Sequence, residues 1–214
     1  MKNRDLSPVD QLFIQLDNAL GIVVGQAHHS SRPSPAHQYE EEAMDASQKN
    51  HSAGLMRVNH SGEVCAQGLY QGQALTAKSA ATRAAMQQAA EEEIDHLAWC
   101  ELRLKALGSQ PSRLNPLWYA MSFGLGAGAS LISDRLSLGF VAATEEQVCE
   151  HLESHLEELP PADNKSRAVV EEMLVDEARH ATGALNAGGL PFPNPVKKAM
   201  SLIAKVMTTS SYRL

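Results

Sequence analysis

An all-α fold, built around a four-helix bundle, is what this 214-residue chain predicts, and three observations predict it. Apolar residues recur at helical spacing over long stretches, while strand-like alternation never lasts beyond a few residues. Two Glu-x-x-His steps, Glu93-Ile94-Asp95-His96 and Glu177-Ala178-Arg179-His180, each put a carboxylate and an imidazole on one helix face, because residues three apart are neighbours there. Each step follows a further carboxylate at a similar interval, Glu63 by 30 residues and Glu145 by 32. Helices contributing Glu, Glu-x-x-His, Glu and Glu-x-x-His to one core make a two-metal carboxylate site, with iron or manganese as the metal.

The elements follow in order. Leu12, Phe13, Leu16, Leu20 and Val23 predict a first amphipathic helix over Pro8–Val24. A polar linker with Pro33 and Pro35 reads as loop. A helix from about Ala53 to Lys78 carries Glu63, and one from about Thr82 to Leu107 carries Glu93 and His96 before Gly108 ends it. Pro111 and Pro116 lie in a connector. Leu117–Ser137 is apolar and rich in glycine, and it runs without a breaker into a helix bearing Glu145, which Pro160-Pro161 stops. A helix over about Lys165–Ala187 carries Glu177 and His180 and ends at Gly188-Gly189. A last amphipathic helix occupies 195–208. The expected organisation is one domain over 1–214. Its bundle spans about 53–188, after an N-terminal helix and linker over 1–52. The intervals from Glu63 to Glu145 (82 residues) and from Glu93 to Glu177 (84) also read as a duplicated helix pair.

Choosing these carboxylates among many needs a reason. The second bundle helix has an apolar seam of Met86, Ala90, Leu97, Cys100 and Leu104, and Glu93 falls inside it, with Glu91 and Glu92 off it. Glu177 falls inside Val170, Leu174, Ala181 and Ala184. Glu145 falls inside Leu138, Val141, Val148 and Leu152, with Glu146 on the flank. Glu63 is the only acid between Asp45 and Glu91. Burying an ionised carboxylate costs roughly several kcal/mol even after relaxation. Two divalent cations cancel four such charges and leave two neutral imidazoles to complete the ligand set. Mixed oxygen and nitrogen donors favour iron over zinc, which prefers closed sites rich in cysteine.

Bulk properties exclude other classes. A net charge of −7 with no basic stripe argues against nucleic acid. Three well-separated cysteines, Cys65, Cys100 and Cys149, form no C-x-x-C, so neither a disulfide framework nor a rubredoxin-type centre is expected, and a reducing compartment is. Met1–Asp10 lacks the apolar core of a signal peptide.

The string Arg57-Val58-Asn59-His60-Ser61-Gly62-Glu63, the two Glu-x-x-His steps and Thr144-Glu145-Glu146 resemble the demethoxyubiquinone hydroxylase family of ubiquinone biosynthesis, within the ferritin-like di-iron group. Asp176-Glu177-Ala178-Arg179-His180 also resembles the D-E-x-R-H motif of di-iron oxygenases. The resemblance covers about residues 50–190. It implies that Glu63, Glu93 and His96 bind one iron and Glu145, Glu177 and His180 the other, with Glu93 and Glu177 bridging. Asp176 and His151 would stand behind the ligands, and Tyr70 lies on the Glu63 face. The Ser211-Tyr212-Arg213-Leu214 ending differs from the Ser-Glu-Arg-Leu of the family.

By that resemblance the reaction is O₂-dependent hydroxylation of a polyprenyl methoxy-methyl-benzoquinol, with NADH supplying electrons. The competing reading is peroxide or iron handling in the ferritin or rubrerythrin manner. A bilayer substrate calls for peripheral attachment at the cytoplasmic face of the cell membrane. Leu117–Ser133 is marginal for spanning and suits an interfacial helix with Trp118 and Tyr119 at headgroup depth. Lys197, Lys198 and Lys205 add weak attraction to anionic lipid. Gly124-x-Gly126-x-Gly128 follows no strand and reads as helix packing rather than a nucleotide fingerprint. A homo-oligomer and a lipid-binding pathway partner are further expectations.

Overall fold

The structure, a computed structural model, describes residues 17–22 and 30–214. Most of the helix expected over Pro8–Val24 lies outside the described residues, and 17–22 is helical. The remaining helices are α1 (Ala46–Thr76), α2 (Ala80–Ala106), α3 (Asn115–Ile132), α4 (Asp134–Glu158), α5 (Asn164–Asn186) and α6 (Asn194–Arg213), preceded by a 3₁₀ turn at Pro35–Gln38. No strand occurs among the described residues, as the periodicity predicts.

Local chemistry sets the boundaries. Asp45 accepts from Gln48 N while Gln48 returns a bond to Asp45 N, a capping box that starts α1 seven residues earlier than the apolar seam suggests. Ser79 and Asp163 cap α2 and α5 by accepting from Thr82 N and Ser166 N. Both helices end on a glycine with positive φ, Gly108 at 74° and Gly188 at 99°, where a side chain would be strained.

One expectation needs correction. The apolar stretch does not run unbroken into the Glu145 helix. Ser133 is extended (φ −166°, ψ 151°) and its hydroxyl accepts from Leu136 N, so α3 stops and α4 begins afresh. Asp134 then accepts from Lys78 N and Ser79 N, which ties this corner to the α1–α2 turn.

Helices α1, α2, α4 and α5 form the bundle, and α3 lies within the long crossover from α2 to α4. The core falls into two apolar blocks. One contains Leu55, Met56, Trp99, Leu104, Leu152 and Met173; the other contains Ala66, Tyr70, Met86, Leu138, Val141 and Ala184. On every bundle helix the predicted acid lies between the two blocks. A polar layer is therefore closed above and below by packed hydrocarbon.

Helix α3 packs on α1 through glycine. A Cβ at Gly72 would run into the Phe123 carbonyl, and one at Gly126 into the Leu69 carbonyl. The helix-packing reading of the Gly-x-Gly-x-Gly run thus holds at Gly126, while Gly124 and Gly128 face open space. Tyr119 is not at the surface as expected; it is buried and donates to Gln71 Oε1 at 2.6 Å. The outer face of α3 exposes Leu117, Met121, Leu125, Leu131 and Ile132, and α6 exposes Leu202, Ile203 and Val206. No helix among the described residues is long and apolar enough to cross a membrane.

Candidate metal centre

All six predicted ligands reach the polar layer. Glu63, Glu93, Glu145 and Glu177 are buried, as is His96. Glu63, Glu93, His96 and Glu177 can bring one donor atom each within 4.8 Å of one another, the one such grouping among the described residues. Glu145 and His180 complete the layer from the other side. His180 Nδ1 lies 2.9 Å from Glu93 Oε1, while Glu145 Oε1 accepts from the Tyr70 hydroxyl at 2.5 Å.

The two carboxylates of the Glu-x-x-His steps are shared between the imidazoles. Glu93 Oε2 is 2.7 Å from His96 Nδ1, and its Oε1 faces His180. Glu177 Oε1 is 3.1 Å from His96 Nδ1, and its Oε2 is 3.3 Å from His180 Nδ1. Each carboxylate thus turns one oxygen to each half of the site.

Behind the layer the arrangement crosses over. His96 Nε2 meets Asp176 Oδ2 at 2.9 Å, and His180 Nε2 meets Glu92 Oε2 at 2.8 Å. The residue before each shared glutamate therefore holds the imidazole of the opposite step. An outer carboxylate fixes the proton on Nε2 and leaves the Nδ1 lone pair facing inward, which is how ligand histidines are oriented. Arg179 ties both outer acids together, 2.9 Å from Asp176 and 3.2 Å from Glu92.

Asp176 stands where the sequence expects it. Glu92 lies off the apolar seam, so periodicity does not select it. Its position directly before Glu93, matching Asp176 before Glu177, is the signal that could have found it. Tyr70, fully buried and bonded to Glu145, belongs to the site and not merely to the core. His151 packs edge-on against His155 with ring centroids 3.9 Å apart, and its Nε2 has no hydrogen-bond partner.

The electrostatics suit a dication pair. Burial, then Glu93 and Glu177, push the Glu63 carboxyl well above its usual range; burial, then Glu177 and Glu93, do the same to Glu145. Burial alone would also raise Glu93, but His96 and His180 outweigh it and hold it low. Burial would lower His180, yet Glu177 and Glu93 lift it to about 11, and His96 is likewise raised well above its usual value by Glu93 and its neighbours. Protons thus stand in for cations here. Buried Glu93 Oε1 accepts no hydrogen bond, despite its closeness to His180. A donor oxygen free of hydrogen bonds, inward Nδ1 atoms and an excess of carboxylates over imidazoles all fit two divalent metal ions.

A cavity of about 180 Å³ adjoins the layer on the His180 side, lined by Tyr70, Met86, Glu92, Leu138, Val141 and His180 among others. A larger one of about 580 Å³ reaches Tyr70 from the other direction, past Gln67, Gln71 and Ile22.

A buried glutamate–histidine layer across four helices, with one long crossover, defines a ferritin-like carboxylate bundle. Comparison with known proteins narrows this class. Residues 50–211 match the family described as ubiquinone biosynthesis protein COQ7, and the chain belongs to that family. It is 60% identical over 211 residues to the 3-demethoxyubiquinol 3-hydroxylases of Pseudomonas putida (strain W619), Ectopseudomonas mendocina and Azotobacter vinelandii, covering 99% of this chain and 98% of each relative.

Proposed function

We propose that this chain is a 3-demethoxyubiquinol 3-hydroxylase that works with two iron ions. Glu63, Glu93 and His96 hold one iron and Glu145, Glu177 and His180 the other, with Glu93 and Glu177 shared. The observation that carries the two-metal reading is the split of the Glu93 and Glu177 oxygens between the two imidazoles. When bound, a ferrous pair supplies the electrons and the Lewis acidity that O₂ reduction requires.

The reaction puts one oxygen atom of O₂ into the quinol ring in place of hydrogen and releases the other as water, with two electrons and one proton drawn from NADH and a second proton from solvent. The chain's own residues prepare the site for this. Asp176 and Glu92 keep the Nδ1 atoms pointing inward. Tyr70 holds Glu145 through its hydroxyl. The two apolar blocks keep bulk water from the layer, which sharpens every charge within it. The cavity beside Tyr70 and His180 gives a ring-sized substrate an approach.

The polyprenyl tail sets the surroundings. The exposed apolar faces of α3 and α6, with Lys198 and Lys205 also exposed on α6, suit a peripheral position on the cytoplasmic face of the membrane. The same faces suit a second copy of the chain or a lipid-binding partner of the pathway.

The test is a mass spectrum of quinones from cells lacking this protein. A precursor one methoxy group short of ubiquinone should accumulate, and wild type but not Glu177→Ala should restore ubiquinone. A normal ubiquinone pool in the deleted cells would overturn the reading and favour peroxide or iron handling. Retained hydroxylation with intact iron in Glu177→Ala would overturn the ligand assignment alone.

A further inference from the structure

The segment ahead of α1 reaches the site. Ser30 Oγ and Ser31 N and Oγ donate to the Asp95 carboxylate at 2.6 to 3.0 Å. Arg32 adds Nε to Asp95 at 2.9 Å and reaches Asp176 with Nη2 at 2.5 Å. Its guanidinium lies 4.7 Å from the ring centre of Trp99, which donates to Ser30 Oγ and meets the His96 ring at 5.4 Å. Residues 30–32 thus form a strap that grips His96 by two routes, one through Asp176 and one through Trp99. Farther along, Glu41 pairs with Arg103 at 2.9 Å and Glu42 with Asn164 at 2.5 Å, which anchors the strap without touching the polar layer.

The opposite half has no counterpart among the described residues. Asp176, behind His96, is held by Arg32 and Arg179 with its side chain 7% exposed. Glu92, behind His180, is held by Arg179 and Gln88 and is 29% exposed. His96 is fully buried, whereas His180 is 8% exposed and lines the 180 Å³ cavity. A ligand set that is symmetric in sequence is therefore built into an asymmetric site.

We propose that Arg32 is a positioning residue for the metal centre: by fixing Asp176 against His96 Nε2, the strap makes the His96 half the sealed one and leaves exchange to the His180 half. The inference rests on the two-iron reading above. A side chain that orients a histidine ligand from behind commonly changes metal affinity about 10–100-fold when removed. Arg32 acts one step farther out, yet it supplies two charge-assisted bonds in a fork that no single ammonium reproduces.

The experiment loads the full-length protein with ferrous ion and follows iron loss to an excess of coloured ferrous chelator, in wild type, Arg32→Ala and Glu41→Ala. Thermal unfolding of each variant checks that the fold survives. In Arg32→Ala the slower of the two irons should leave about ten-fold faster and the other at the wild-type rate, while Glu41→Ala releases both as wild type does. Unchanged loss from Arg32→Ala overturns the proposal. So does equal acceleration of both irons, or the same acceleration in Glu41→Ala, since either would make the strap a general brace. A wild-type protein that takes up no iron overturns the two-iron reading itself, a result distinct from all of these.

Discussion

His155 shows how a residue away from the metal layer couples stability to pH. Burial, with His151 and His51 adding to it, presses its imidazole down to about 3 from 6.5, and its Nδ1 has no hydrogen-bond partner. The unfolded chain therefore binds a proton that the folded chain refuses between those values. Stability is full above about 6.5 and falls as pH drops through that window, reaching a loss of about 2 kcal/mol at pH 5 from this residue. Urea unfolding at pH 7.5 and pH 5 should show the gap between wild type and His155→Leu narrowing in acid, because the leucine variant lacks that proton uptake. A parallel pair of pH slopes would rule out the assignment. At the same scale, Tyr212 has a defined place. Its hydroxyl meets His51 Nδ1 at 2.7 Å, its carbonyl accepts from Arg57 at 2.7 Å, and its ring occupies space that a side chain at Gly54 would need.

Among elements, the α1–α3 contact is the one most dependent on small residues. Gly72 and Gly126 let two backbones approach until carbonyl oxygens sit where Cβ atoms would be, so neither position has a flexible neighbour able to yield. Gly72→Leu should cost about 1–3 kcal/mol or more by overpacking. Gly124→Ala, two residues from Gly126 yet facing open space, should be neutral or stabilise by up to about 1 kcal/mol through helix propensity. Denaturant melts of the two variants check the pair, and equal destabilisation would contradict the packing. The corner at Ser133 belongs to this scale too. Apolar composition alone carries the reading straight through it, whereas the Ser133-Asp134 pair both caps α4 and bonds the α1–α2 turn. A polar dipeptide inside an apolar run outweighs the run when its bonds close a corner.

For the whole molecule, the proposed metal ions and protons compete for one layer. Metal loading must displace the protons favoured on Glu63, Glu145, His96 and His180, so apparent affinity should fall as pH falls and loading should release protons. A ferrous titration in weak buffer with an indicator dye measures both, and loading without proton release would contradict the site's charge balance. Metal bound to the folded state alone also raises the unfolding midpoint, which a chelator should reverse. By itself the sequence determined the helix count of the bundle and the family, and it singled out the six side chains that meet in the polar layer, because a buried carboxylate interrupts an apolar seam and a Glu-x-x-His step has a fixed face. Asp176 was legible for the same reason, standing one residue before a ligand in a known motif. Glu92 and Arg32 were not, since each acts on a helix or segment remote in sequence and looks like a solvated charge from its own neighbours. Only the tertiary structure decided that Glu92 backs His180, that Tyr70 holds Glu145, and that the two halves are unequal. Periodicity reports which face of a helix is buried, but which outer charges meet across a bundle depends on the packing of whole helices.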